Sequence, residues 1–356
     1  MTRETLDQAK LDGFMEKVIA DFGGAMASLL AHLGDRLGLF KALADGGPAT
    51  PAELAARAGV HERYAAEWLL GLTSAGYLEY DRDTERYRLP PEHALALADE
   101  GGPFFVGGAF EMLPEFVRPM DELADAFRRG GGVAQSAFGP RLWEGMERFS
   151  AGDFEHRLVQ EWLPALPDVE RRLRAGGTLA DVGCGSGRAL IALARAFPAA
   201  RFVGYDSFPG QIERARENVA RAGVDDRVRI ELLDVAAGLP ETYDAITTFD
   251  VIHDAVDPKG LLRALRGGLA SDGTYLLVEI NCADDPHDNA GPLATLFYGA
   301  SVFYCLTTSL AHGGAGLGTN GLPEARVREL CLEAGFARVR RLPVESPFNA
   351  LYEVKP

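Results

Sequence analysis

The segment Thr178-Leu-Ala-Asp-Val-Gly-Cys-Gly-Ser-Gly-Arg188 constrains this chain more than any other. A short apolar strand, Thr178 to Val182, runs into a turn with glycine at 183, 185 and 187. A helical pattern with Leu190, Leu193, Ala194 and Phe197 on one face follows. Strand, glycine turn and helix in that order form the unit of an open α/β sheet, whose ligands lie at the carboxyl ends of its strands. The spacing is G-x-G-x-G, and Arg188 stands where a dinucleotide fingerprint needs its third small residue. Asp181 would repel a pyrophosphate and welcome a cation such as an α-ammonium group, while glycine lets the backbone approach a ligand closely. The implied ligand is a nucleoside with a cationic amino-acid tail, which disfavours a nicotinamide oxidoreductase.

Past this turn, β and α patterns alternate. Arg201–Asp206, Val228–Asp234, Tyr243–Asp250 and Thr274–Ile280 read as strands, with helices over Gln211–Ala222 and Pro258–Leu269. A helix over Pro323–Ala334 and strands Arg338–Leu342 and Ala350–Val354 complete the pattern. The fold class is α/β, a doubly wound, seven-stranded Rossmann-like sheet; no helix parts its final two strands, so the last is expected to be antiparallel. Asp181, Asp206 and Asp234 close three successive strands, and a carboxylate at Asp206 can accept both hydroxyls of a ribose. Residues 281–321 read as a long insertion with little periodicity. In it Phe297, Tyr298, Phe303 and Tyr304 precede a glycine-rich tip, which suits a lid over an apolar acceptor or, more plainly, a surface excursion.

A chain of 356 residues, 47% apolar and 25% charged, can bury more than one core. The division expected is 1–100 for an N-terminal all-α and winged-helix domain serving dimerisation and lid roles, 101–164 for a helical linker contributing to the substrate pocket, and 165–356 for the nucleoside-binding domain. Thr50-Pro51-Ala52-Glu53 is a capping box, and a helix His61–Ser74 leads to strands Tyr77–Tyr80 and Arg86–Leu89, a winged-helix order. The 61–74 helix offers Glu62 and Glu67 against one Arg63, and the net charge is -16; both argue against nucleic acid as a partner. Apolar stripes in residues 1–45 (Leu11, Phe14, Met15, Val18, Ile19, Phe22 and, further on, Leu29, Leu30 and Leu33) point to a homodimer or to packing on the chain's own later domain. No run of eighteen apolar residues and no apolar leader are seen, and the four cysteines lack C-x-x-C spacing. A cytoplasmic chain with reduced thiols and no membrane partner is expected.

The motif Asp181-x-Gly183-x-Gly185-x-Gly187 resembles the first motif of class I S-adenosylmethionine-dependent methyltransferases. Thr247-Thr-Phe-Asp-Val-Ile-His-Asp-Ala-Val-Asp-Pro258 resembles the fourth motif, and more narrowly that of small-molecule O-methyltransferases with an N-terminal winged helix. The layout is similar to a bacterial subfamily of these over nearly the whole chain. The resemblance implies S-adenosyl-L-methionine as cofactor, held by Asp181, Gly183, Gly185, Gly187, Asp206, Phe208, Asp234, Val235, Phe249 and Asp250. It further implies a small-molecule acceptor, His253 with Asp254 as the catalytic pair, and Glu279 as an acid flanking the imidazole. A second flanking acid of that group has no counterpart in Gly316–Pro323, and residue 255 is Ala where Trp is usual.

The chemistry suits a group titrating near neutrality, since a hydroxyl becomes a better nucleophile once its proton is removed. His253 capping the 258–269 helix or lining the pocket is the plainer alternative. C-methylation of a 2-oxo acid or enol, with or without a metal, and a nucleoside-sensing DNA-binding regulator are the other functions considered. A metal triad from His253, Asp254, His287 and His312 would need long, irregular spacings, so no metal is expected.

Overall fold

The computed structural model describes residues 6–356. They divide into two compact units, one of residues up to 113 together with 144–149, the other of 114–143 together with 150–356.

The first unit begins with the long helix α1 (Gln8–Arg36), capped by the Asp7 carboxylate, which accepts the Lys10 N–H at 3.2 Å. Next come α2 (Leu39–Gly46), α3 (Pro51–Ala58), α4 (Glu62–Ser74) and a two-stranded wing, β1 (Glu79–Asp81) antiparallel to β2 (Arg86–Arg88). The capping box forms at α3: Thr50 Oγ1 accepts the Glu53 N–H, and Glu53 accepts the Thr50 N–H at 2.9 Å. Both Glu53 oxygens also take a nitrogen of Arg86 at 2.6 Å, which ties the wing to α3. Phe40, Leu54, Leu69 and Leu72 form the core, and Trp68 Nε1 donates to the Leu30 carbonyl at 2.8 Å. That indole lies so close to α1 that a Cβ on Gly34 would stand 2.5 Å from Trp68 Cζ2. Gly34→Ala is therefore expected to lower unfolding stability by about 1–3 kcal/mol. Gly24→Ala, where nothing lies within 4 Å, should gain about 0.5–1 kcal/mol; paired denaturant titrations check both signs.

After α5 (Pro91–Leu97), α6 (Gly107–Phe116), α7 (Met120–Arg129), α8 (Pro140–His156) and α9 (Pro167–Arg174), the second unit builds its sheet. The strands are β3 (Thr178–Val182), β4 (Arg201–Asp206), β5 (Val228–Leu232), β6 (Tyr243–Phe249), β7 (Leu269–Ile280), β8 (Arg338–Arg341) and β9 (Asn349–Lys355), with helices α10 (Arg188–Ala196), α11 (Pro209–Ala222) and α12 (Pro258–Gly268). Their order is β5-β4-β3-β6-β7-β9-β8, parallel except for β9, which runs antiparallel to both neighbours. This is the seven-stranded sheet expected, and its order reverses at β3, where a crevice opens beside β6. Leu190, Leu193 and Ala194 of α10 pack on one face of the sheet, and Leu262 and Leu265 of α12 on the other.

Three expectations are corrected. β5 stops at Leu232, so Asp234 lies beyond the strand and caps a short turn through the Ala236 N–H at 3.0 Å. The wing strands are shorter than their sequence patterns. The insertion is helical: α13 (Pro292–Ala300), a π turn (Ser301–Cys305) and α14 (Leu306–Ala311) form one rod. The five-residue π turn shifts the helical phase, which is why no 3.6 period showed. By length and composition the rod, Pro292–Ala311, could cross a membrane. Its polar residues are instead bonded within the unit, with Thr307 Oγ1 accepting the Val133 N–H at 2.8 Å and Ser309 Oγ donating to the Ala255 carbonyl at 3.2 Å.

Candidate active site

Gly183, Gly185 and Gly187 follow β3 with φ of 72°, 50° and 78°, a run of left-handed backbone open to glycine. Gly183 is also needed for space, since a Cβ there would lie 2.5 Å from Val251, whereas Gly185 faces open space. Asp206, half-buried at the end of β4, accepts the Gly185 N–H at 3.1 Å and the Phe208 N–H at 2.9 Å, with the Ser207 N–H as a third donor, so it fixes the turn. Asp181 is buried below and accepts the Thr247 hydroxyl at 2.7 Å. Burial pushes its carboxyl up to about 7 against the Thr247 bond, with the nearby Asp206 adding to the rise. Phe208 packs against Trp143, ring centroids 5.1 Å apart and planes tilted by 48°. Val235 is buried, Asp234 exposed, and the Phe249 ring turns into the core against Phe154 and Trp162. The turn, Asp206, Phe208 and the backbone after β5 fit a nucleoside with a cationic tail, and Asp181 lies beneath the turn.

A folded-state value above the unfolded one means that Asp181 contributes stability fully below its ordinary range and loses it as pH climbs towards 7. The thermal midpoint of the unliganded protein is expected to fall between about pH 5 and about pH 8, and to fall less in Asp181→Asn.

Beside this crevice, β6 ends and the chain turns back at Asp250, a non-glycine residue at φ 56°. The turn carries His253 into the interior, 2% exposed. Its Nδ1 lies 2.5 Å from Glu279 Oε2, and Glu279 Oε1 accepts the Ile252 N–H at 2.7 Å and the His253 N–H at 3.3 Å. One carboxylate thus fixes both the backbone and the ring of the histidine. Nε2 points the other way, 3.2 Å from Asp254 Oδ1 and close to Cys305 Sγ. Burial opposes a charge on His253, but Asp254 and Glu279 outweigh it and its pKa stands above the ordinary imidazole value. Asp250 takes both hydrogen bonds of the Asn349 amide, at 2.8 and 3.1 Å, and burial with the Glu279 charge pushes it up to about 7.

The structure thus gathers Asp181, the three glycines, Asp206 and Phe208 around one crevice, and His253, Asp254 and Glu279 around the next. Asp250 joins the second group, within reach of His253 and Glu279, so an acid flanks the imidazole from a position the sequence pattern assigned to the nucleoside. His287 and His312 are exposed and belong to neither group. Sequence reasoning gave no role to Cys305, Asn349 or Trp143, and it read Tyr304 only as part of a lid or a surface excursion. The π turn delivers Tyr304 and Cys305 together; Tyr304 packs against Trp143 and Phe138 and receives the Gln135 amide at 3.0 Å. Such bulges often sit at functional sites, but a π turn has no sequence signature to announce it.

Residues 25–99 match a family described as an Rv2258c-like winged HTH domain, and residues 180–275 one described as a methyltransferase domain. Over 86% of the chain and 84% of the relative, the sequence is 26% identical to O-demethylpuromycin-O-methyltransferase of Streptomyces alboniger. Two solved structures share the fold: a methyltransferase in calicheamicin biosynthesis in its SAH-bound form, and human N-acetylserotonin methyltransferase in complex with SAM. The first has a TM-score of 0.70 at 19% identity, covering 99% of this chain and 100% of that one. The second has a TM-score of 0.68 at 20% identity, covering 100% and 99%.

Proposed function

Since the chain belongs to the class I S-adenosylmethionine-dependent methyltransferases, with a winged-helix N-terminal domain and S-adenosyl-L-methionine as methyl donor, we propose that it methylates a hydroxyl oxygen of a small aromatic or apolar acceptor with His253 as general base. The observation that carries this reading is the orientation of His253: Nδ1 is held by Glu279, and Nε2 is turned to the other side, towards Asp254 and Cys305. The S. alboniger relative, named for O-methylation, supports the target atom.

The donor supplies a methyl group on a positive sulfur; its C–S bond breaks as the C–O bond forms, leaving a thioether. His253 Nε2 takes the hydroxyl proton, and Glu279 stabilises the imidazolium through Nδ1–H. Asp206 would hold the ribose hydroxyls and Phe208 would pack on the adenine. Placing the oxygen in line with the methyl is the larger task, because the methyl is already activated.

The same reading takes α1 as the seat of a second copy of this chain, because Phe14, Ile19, Phe22 and Met26 leave a continuous apolar stripe exposed. It places the protein in the cytoplasm, in keeping with four free cysteines among the described residues. It excludes nucleic acid, since the exposed face of α4 carries Glu62 and an Arg63 already paired with Glu67.

Calorimetric titration with S-adenosylhomocysteine, repeated on Asp206→Ala, tests the donor site. A loss of about 10- to 100-fold in affinity is expected from removing charge-assisted hydrogen bonds to the ribose. Mass spectrometry of products from a panel of phenols, catechols and enols then tests the target atom: a methyl ether supports the reading, and a methyl group on carbon alone overturns it.

A further inference from the structure

The nucleoside and acceptor sides of the site share a distinctive charge. Asp181, Asp206, Asp250, Asp254 and Glu279 converge from the ends of β3, β4, β6 and β7. Among the described residues, no lysine or arginine is bonded to any of the five, and His253 is the cation beside Asp250, Asp254 and Glu279. Their oxygens are held by neutral groups, the Thr247 hydroxyl, the Asn349 amide and backbone N–H groups, apart from the contacts of Glu279 and Asp254 with the His253 ring.

The polar atoms around His253 Nε2 are also unmet. Asp254 Oδ1 is buried with no hydrogen-bond partner, and so is Thr319 Oγ1, on a residue 4% exposed. Both lie beside the Cys305 thiol, a weak donor, and Asp254 Oδ1 lies 3.2 Å from His253 Nε2. A buried carboxylate oxygen served only by such contacts can take a stronger N–H or O–H from whatever binds there. Trp143, Phe138 and Tyr304 supply the aromatic neighbours.

We propose that the site selects its acceptor by charge: it takes hydroxylated aromatic compounds that are neutral or carry a basic nitrogen, and it excludes those bearing a carboxylate, phosphate or sulfate. An anion brought beside Asp250, Asp254 and Glu279 meets more like charge than the one cation, His253, can offset, whereas an ammonium or N–H group can be received by Asp254. The inference rests on the methyl-transfer reading for the location of the acceptor. It also turns against 2-oxo acids, whose carboxylate would compete with Asp250, Asp254 and Glu279 for the single cation His253.

Three catechols that differ in one substituent test it: dopamine, methyl protocatechuate and protocatechuate. Each is titrated calorimetrically into the full-length protein saturated with S-adenosylhomocysteine. The amine and the ester are expected to bind at least about tenfold more tightly than the carboxylate, with the gap shrinking at high ionic strength. Asp254→Asn should weaken dopamine and leave the neutral ester close to its wild-type affinity. Protocatechuate binding as tightly as its ester overturns the proposal. Incubation with S-adenosylmethionine separates the two readings: binding of amine and ester without methyl ether formation defeats O-methylation and leaves charge selection standing. Methylation of protocatechuate at the ester's rate does the reverse.

Discussion

His253→Ala is expected to lower kcat for methyl transfer by about 10²- to 10⁴-fold, the contribution of a positioned general base, while affinity for S-adenosylhomocysteine stays within about twofold of wild type. The separation follows from geometry. The imidazole is bonded to Glu279 and turned towards Asp254 and Cys305, whereas the nucleoside crevice is formed by the glycine turn, Asp206 and Phe208. A His253→Ala enzyme that keeps its kcat would leave the histidine as a cap or a wall residue.

The pH profile gives the role a second signature. With its folded value above the ordinary one, His253 keeps its proton to higher pH than a free imidazole does, so kcat/KM should rise as pH climbs past the usual imidazole range. Glu279→Gln removes one of the two charges that hold the proton, and the rising limb should move to lower pH while the maximal rate falls. A positive sulfur bound beside His253 would make it release its proton more readily, so the limb in kcat should lie below that in kcat/KM. A limb that stays in place in Glu279→Gln would mean that another group is being titrated.

Much of this site could be read in the chain before its structure. Local rules carried the glycine turn, because strand, φ-permissive turn and helix all lie within Thr178–Phe197, and they carried the capping box at Thr50 and Glu53. The β and α periods likewise supplied the seven strands and the antiparallel last one. What escaped depends on distant partners. Asn349 comes to Asp250 from β9, 99 positions away, and no local pattern links them. Asp250 was read as a nucleoside contact because motif position alone says nothing of which way a residue at φ 56° will turn. Cys305 reached the imidazole only because a π turn rotated the rod by part of a turn, and that same rotation blurred the apolar period.

Arg148→Met is expected to destabilise the N-terminal unit by about 3–5 kcal/mol, the largest loss among its polar contacts, because removing one member of a buried ion cluster strands the others. Arg148 of α8 holds Asp35 through two nitrogens at 2.7 and 2.8 Å, Glu100 at 2.7 Å and Glu111 at 2.6 Å. Its guanidinium also lies 5.2 Å from the centre of the Phe105 ring. The Asp35 bond, opposed by burial and helped by Glu100, raises the Arg148 pKa further above its ordinary value. One planar fork thus joins the end of α1, the loop after α5 and α6, a task a lysine cannot perform with a single ammonium. Arg148→Lys should recover part of the loss, and the deficit of Arg148→Met should grow as pH rises, since the stranded Asp35 and Glu111 can escape repulsion by taking up protons only in acid. Arg63→Met, which breaks an exposed pair with Glu67, should change stability by under about 1 kcal/mol. If denaturant titrations give the two substitutions equal losses, the cluster is no more than a set of surface ion pairs.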